Sequence, residues 1–427
     1  MVLKRRQNNG NQNFSIVRLR LVARTLALLL CALLLLGILG CRHSSDIRET
    51  QPYFHKLYMD TLRRFDQAHP GFGLDVLFTA QKAHHPKAYA LFASAEVLRF
   101  RATGDPKALD NALRAARWLV ENSDLDEDGE VGWGFPFPWD AGGDGSVNPA
   151  HTEYTIDTAV VIQALLDVYD VGQQANLNTD LSELLVTAVR AAETFTKGRY
   201  DEDGSGIVFW YSTALEDSYH VINVSAMMVA VLQRLSHYNV RESELFAQLA
   251  DRGIQYVLAH ALEKDGIPYW LYYGDKWPAT LQENRPNDLQ HEAYIVQSLL
   301  DYKRYGGKFE DLINPPKLLA SLQRFVGPDK IYELPLGYPY SESLRSASKD
   351  WARLWGVGYA LHVARQLETW IGGSCGLSAR LAEALVSAYY RNGLWFLRPD
   401  SDQVISYPRQ LAFVLLGLGS YAFTACR

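Results

Sequence analysis

The amino-acid sequence predicts an all-α fold, an (α/α)6 toroid of six helical hairpins arranged as an inner and an outer ring. Three observations carry this expectation. First, a pattern returns roughly every 62 to 75 residues, the mark of one supersecondary unit stacked on copies of itself. A helix ends, a polar turn follows, then an aromatic loop, then a nearly all-apolar helix. The turns are Asp126–Gly129, Asp201–Gly204 and Lys264–Gly266, with weaker copies at Pro328–Lys330 and Arg391–Gly393. Second, helices apolar on every side alternate with one-sided ones. Third, the two ends of the chain can complete one another.

The first forty residues stand outside this pattern. Lys4, Arg5, Arg6, Arg18, Arg20 and Arg24 precede an apolar run from Thr25 to Gly40, closed by Ile38-Leu39-Gly40-Cys41. This is the layout of a bacterial export signal, with an ending that resembles a lipobox. The expectation is a signal peptide over 1–40, lipidation at Cys41, a tether over 41–51 and one toroid domain over 52–427. An uncleaved anchor helix is the alternative, although the apolar run is short for a span. Arg42 after the cysteine is compatible with an outer-membrane lipoprotein facing the periplasm. Losing residues 1–40 removes six cations and no anions, so the formal charge falls from −6 to −12. Such a body has no general attraction for nucleic acid. Cys375 and Cys426 remain, paired as a disulfide in an oxidising compartment or buried as two free thiols.

The apolar helices are read over Asp157–Val168, Val221–Leu232, Ala293–Leu300, Trp351–Val363 and Leu411–Ala422, and another begins near Pro86. Helices apolar all round are buried all round, so these form the inner ring. One-sided stripes mark the outer ring: Leu109, Ala112, Leu113 and Ala116; Leu184, Ala188 and Ala191; Leu381, Ala384 and Leu385. Six inner helices have only five outer helices following them. Tyr53–Phe65, with Phe54, Leu57, Tyr58, Leu62 and Phe65 at helical spacing, supplies the sixth and closes the ring. A stack of hairpins with free ends is the alternative.

The long outer-to-inner loops all emerge at the N-terminal ends of the inner helices, hence on one rim. Cys375 and Cys426 fall on the opposite rim. Loop aromatics suit the C–H faces of sugar rings unless they pack as core. Trp133, Trp139, Trp210, Tyr211 and Trp270 are the candidate platforms, with Arg353 and Arg409 beside them. Polar residues gather where these loops enter the helices, and the candidate catalytic set is Asp157, Tyr219, His220, Asn223, Asp288, His291 and Glu292. Aligning Ala164–Asp167 with Ser298–Asp301 places Asp157 opposite His291, and Asn223 occupies the same position in the third unit. Asp157 in an apolar helix must be paired. Asp217, Asp288 and Asp350 also read as N-caps.

Neither a metal nor another cofactor is expected. Asp124-x-Asp126-x-Asp128-Gly129 resembles the start of a calcium loop, but Phe135 stands where an EF-hand needs its glutamate. His291-Glu292 lacks a second histidine four residues on. No phosphate-cradling glycine loop is present.

With Gly132-Trp133-Gly134-Phe135-Pro136 and Asp288-Leu-Gln-His291-Glu-Ala-Tyr294, this exported, aromatic-rimmed ring resembles the (α/α)6 toroids of carbohydrate-active proteins. It is most similar to the helical C-terminal domain of D-glucuronyl C5-epimerases, and more distantly to uronate lyases and unsaturated glucuronyl hydrolases. The resemblance implies a glycan partner and carries over no catalytic residue, because the β-rich domain that precedes the helices in those epimerases has no room here. Three uses of the rim stay open. Hydrolysis needs two opposed carboxyls drawn from Glu153, Asp157, Asp217, Asp288 and Glu292. A lyase or epimerase needs a base such as Tyr219, His220 or Tyr294, with Asn223, Arg353 or Arg409 at the acid group. A non-catalytic glycan-binding or scaffold lipoprotein needs neither.

Overall fold

The structure, a computed structural model, describes residues 52–177, 180–373 and 375–425. The stretch expected to act as an export signal, Cys41 and Cys426 lie outside the described residues. Cys375 is disulfide-bonded. The compact unit is His55–Arg427.

The inner ring consists of α2 (Pro86–Thr103), α4 (Thr155–Gln174), α6 (Ile222–Leu235), α8 (Leu289–Arg304), α11 (Leu354–Ile371) and α13 (Pro408–Phe423). Each touches the next, and α13 touches α2 again, so the ring is closed. All fourteen residues of α6 are buried, as the absence of any polar stripe requires. The outer helices α3 (Pro106–Glu121), α5 (Ser182–Thr196), α7 (Ser243–Ala259), α9 (Pro315–Gln323) and α12 (Gly376–Tyr389) each pack on the inner helix before them. Their apolar stripes face inward: Leu109, Ala112, Leu113 and Ala116 of α3 are buried while Arg114 is exposed. A short α10 (Leu344–Ala347) lies in the loop before α11.

The sixth outer position belongs to α1, residues 52–62. Tyr58 donates its hydroxyl hydrogen to Glu96 Oε1 of α2 at 2.6 Å, and its ring meets Phe423 of α13 edge-on at 4.9 Å. The N-terminal helix therefore sits between the first and last inner helices. Between α11 and α13 the ring is tight: a Cβ at Gly417 of α13 would stand 2.2 Å from the Gly358 carbonyl oxygen of α11.

Three of the five recurring polar turns, Asp201–Gly204, Lys264–Gly266 and Arg391–Gly393, belong to β-hairpins, which the sequence did not announce. Antiparallel pairs β1–β2 (Phe72–Asp75, Phe78–His84), β3–β4 (Tyr200–Asp203, Gly206–Phe209), β5–β6 (Leu262–Lys264, Ile267–Tyr269) and β7–β8 (Tyr390–Arg391, Leu394–Trp395) each precede an inner helix. Asp265-Gly266 and Asn392-Gly393 all have positive φ, the backbone of two-residue hairpin turns whose twist matches the flanking strands. These hairpins are too short and too polar at their tips to announce themselves by alternation. Three inner helices also begin a few residues later than their polar entry stretches suggested. Those stretches are spent in loop pairing, as when the Thr155 N–H donates to the Tyr211 carbonyl at 3.0 Å.

Candidate functional site

The N-terminal mouth of the inner ring gathers charged side chains from five of its six helices or their leading loops. Asp157, in the first turn of α4, is buried and forms an ion pair with Lys87 Nζ of α2 at 3.1 Å. The expected partner of the buried aspartate is thus a lysine in the first turn of the neighbouring apolar helix. Burial lowers the Lys87 ammonium below its usual range, and Asp157 opposes that shift.

Arg409, in the first turn of α13, holds Asp75 of β1 with two parallel bonds, Nε to Oδ2 at 2.6 Å and Nη2 to Oδ1 at 2.7 Å. Burial pushes the Asp75 carboxyl up, but Arg409 wins and keeps it well below the usual carboxylate range. The Arg409 guanidinium also lies 5.4 Å from the centre of the Phe135 ring.

Asp288 caps α8, accepting from the Gln290 and His291 N–H groups at 3.1 and 3.2 Å. Its second oxygen accepts from Arg353 Nη2 at 2.8 Å. Arg353 in turn contacts Glu333, whose Oε2 accepts the Arg353 backbone N–H at 2.8 Å. Asp288 is held far below its ordinary range by His291 and Arg353 in spite of its burial, while burial and the Asp288 charge raise Glu333. His291 Nδ1 approaches Asp288 Oδ1 to 2.8 Å without the alignment of a hydrogen bond. The imidazole keeps 22% of its side-chain surface exposed and is caged edge-on by Tyr272 at 5.0 Å and Tyr294 at 6.0 Å. Tyr294 feels the charges of Asp157, Arg409 and Asp288 together, so these pairs form one electrostatic cluster.

Other members of the expected set sit elsewhere. His220 faces outward, its Nε2 2.9 Å from Asp201 Oδ2 of β3 and its Nδ1 3.2 Å from the Tyr256 hydroxyl of α7. Tyr219 donates to Asp144 in the loop before α4. Asn223 is fully buried, with Nδ2 3.4 Å from Asn287 Oδ1. Glu292 points to α9, bound to Ser321, and burial raises its carboxyl to about 7. His220 and Glu292 thus turn to outer helices, and Asn223 has no exposed surface.

The aromatic expectation divides. Trp133 and Trp270 are buried core. The Trp133 indole N–H donates to Leu119 O of α3 at 3.1 Å, and the Trp270 N–H to Val257 O of α7 at 2.8 Å. Both occupy carbonyls of the last outer-helix turn that have no partner within the helix. Trp210 is half-buried, bonded to Asp201 Oδ1 at 3.0 Å. Trp139 and Tyr211 remain partly exposed, with Tyr211 edge-on to Tyr154 at 5.5 Å. Arg353 and Arg409 stand at the mouth, each held by a carboxylate. Lys87, Asp75 and Glu333 were not singled out; only for Lys87 was a signal available, a cation in the first turn of an apolar helix.

Beyond the mouth, Asp124, Asp126 and Asp128 bring carboxylate oxygens within 4.8 Å of one another, as do Asp128, Glu130 and Glu153. Phe135 is buried at the place of an EF-hand glutamate. The arrangement is an acidic surface turn backed by one buried carboxyl, Glu153, which burial raises to about 8 with the help of Asp126.

No family model matches the chain, and no curated protein matches it significantly in sequence. Solved structures do match in fold. Cellobiose 2-epimerase from Bacillus thermoamylovorans is 12% identical with a TM-score of 0.61, covering 88% of this chain and 99% of that one. A D-mannose isomerase is 14% identical with a TM-score of 0.59, covering 87% and 97%. The α-1,6-mannanase of Salegentibacter is 11% identical with a TM-score of 0.56, covering 87% and 98%. These neighbours are carbohydrate-active enzymes, and the chain shares their toroid fold.

Proposed function

We propose that this protein is a carbohydrate-active enzyme that moves a proton at the carbon next to the carbonyl of a neutral sugar, an epimerase or isomerase type of reaction. The observation that carries this reading is the His291–Asp288–Arg353 arrangement at the ring mouth. A partly exposed imidazole backed by a carboxylate is built to take a proton, because the carboxylate stabilises the imidazolium that forms. The carbonyl oxygen becomes an enediolate oxygen as the proton leaves. Arg409 suits that charge: Asp75 occupies its Nε and Nη2, leaving the Nη1 edge for a ligand oxygen. Return of the proton to the same carbon after the enediolate has turned its other face to the imidazole gives the epimer, and return to the neighbouring carbon gives the ketose.

Hydrolysis fits less well. Asp288 and Glu333, whose carboxyls are displaced in opposite directions, both hold the one Arg353 guanidinium, so no glycosidic bond fits between them. The cations Lys87, Arg353 and Arg409 are each matched by a carboxylate, which favours a neutral sugar over a uronate. The epimerase and isomerase names among the fold neighbours support the same direction.

The test is proton exchange. Mannose or cellobiose incubated with the protein in D2O is expected to gain deuterium at C2, read by NMR, and His291→Gln is expected to stop it. No exchange by the wild type, or equal exchange by the variant, overturns the proposal. We also propose that the chain is a lipoprotein anchored through Cys41 in the bacterial envelope. Cys41→Ser is then expected to release it from the membrane fraction.

A further inference from the structure

The opposite mouth of the ring, at the C-terminal ends of the inner helices, contains a cavity of about 600 Å³. It has a hydrogen-bonded belt that passes through all six inner helices. Ser94 of α2 donates to Asp167 of α4 at 2.9 Å, and Asp167 accepts from Arg234 of α6 at 2.8 Å. Arg234 also donates to Gln163 Oε1 at 3.0 Å, and Gln163 Nε2 donates to Asp301 of α8 at 3.2 Å. Asp301 accepts from Arg304 at 2.7 Å, and Arg304 donates to Gln366 Oε1 of α11 at 2.8 Å. Gln366 reaches His362 at 2.7 Å, and His362 reaches Ser420 of α13 at 2.5 Å.

Ring closure alone does not account for this chemistry. Gln297 of α8 is 5% exposed, lines the cavity, and its Oε1 has no partner, and the same holds for Nε of the buried Arg234. An unpaired buried carbonyl and guanidinium N–H are costly unless something in the cavity meets them. The formal charges around the cavity cancel: Arg101, Arg234 and Arg304 face Asp167, Asp170 and Asp301. At the lip stands Trp370, 44% exposed, with the Arg304 guanidinium 6.0 Å from its ring centre.

We infer that this cavity is a second binding site, for a short neutral oligosaccharide, separate from the His291 mouth. Balanced donor and acceptor pairs bind hydroxyl groups, which both give and take hydrogen bonds, and reject a net anion or cation. The exposed indole supplies a face for the C–H side of a sugar ring. The volume lies within the ~300–1,000 Å³ common for ligand sites. Tyr294 and Tyr359 meet edge-to-face at 4.7 Å between the two mouths, Tyr359 lining this cavity and Tyr294 the cage around His291. The inference does not depend on the reaction proposed for the other mouth.

Calorimetric titration of the full chain with α-1,6-mannotriose and cellotriose tests it, alongside Trp370→Ala, Gln297→Leu and, at the other mouth, Tyr211→Ala. At least one of the two trisaccharides is expected to bind. Its affinity should fall at least tenfold in Trp370→Ala and in Gln297→Leu and stay within twofold of wild type in Tyr211→Ala. Trp370 lies at the surface, so its variant is expected to keep the wild-type circular dichroism spectrum. Failure of both sugars to bind at millimolar concentration overturns the inference. So does binding that survives Trp370→Ala or is lost in Tyr211→Ala, and so does tighter binding of a uronate trisaccharide. Loss of deuterium exchange in His291→Gln with trisaccharide binding intact separates the two mouths.

Discussion

Lys87 Nζ stands 3.1 Å from Asp157 Oδ2, with both side chains buried at the start of adjacent inner helices. A buried pair of this kind adds little over an apolar pair of the same shape, yet removing one partner strands the other charge. Lys87→Met is therefore expected to destabilise the fold by about 3–5 kcal/mol. Lys87→Met combined with Asp157→Leu should recover most of that loss. Chemical denaturation of the three proteins measures both effects, and an unchanged midpoint in the single variant would refute the pairing.

Asp288 serves His291 and caps α8, and these two duties can be parted. Asparagine caps a helix start about as well as aspartate, so Asp288→Asn should fold normally. It removes the negative charge beside the imidazole, and the exchange rate is expected to drop on the order of 10²-fold with KM little changed. A rate within threefold of wild type would remove Asp288 from the mechanism.

Trp133 and Trp270 hold outer-helix carbonyls and do not face a sugar. Trp133→Phe and Trp270→Phe should each cost roughly 1–3 kcal/mol through the unsatisfied carbonyl and the lost ring volume. Sugar affinity measured on the folded variants is expected to stay unchanged. Weaker sugar binding at unaltered stability would restore the platform reading.

The Glu153 carboxyl titrates near 8 in the folded protein, chiefly because it is buried, against an ordinary value of 4.5. A raised folded pKa means the native state holds the proton more tightly than the unfolded chain. This contribution is fully present below about 4.5 and is lost as pH rises through about 8. Thermal stability should fall between pH 5 and pH 8, and Glu153→Gln should flatten the decline. His362, lowered to about 4 by burial, acts in the opposite sense: its contribution is lost as pH falls from 6.5 towards 4. A Glu153→Gln protein with the wild-type slope would assign the pH dependence elsewhere.

The two histidines show where sequence stops being decisive. His220 and His291 both stand at the entry of an inner helix, on the same rim, beside an aspartate and aromatics. His220 lies two residues before the start of α6, and its ring turns out to β3 and α7. His291 is the third residue of α8, and its ring turns to the axis among Tyr272 and Tyr294. A helix turns about 100° per residue, so an offset of a few positions in the unknown helix start exchanges the two roles. Trp133 and Trp139 divide for a comparable reason: both sit in one aromatic loop, and only the path of its backbone puts the first against α3.

By itself the sequence determined the alternation of buried and half-buried helices, the closure of the ring by the N-terminal helix, and the rim on which the long loops lie. These follow from periodicity, which is a property of the chain alone. It also required a partner for Asp157, because an unpaired carboxylate cannot be buried. Only the tertiary structure decided that the partner is Lys87, that Asp75 binds Arg409, and that a polar cavity opens at the opposite mouth. Each of these contacts joins residues from different hairpins, and their meeting depends on the rotation of whole helices about their axes. No local pattern records that angle.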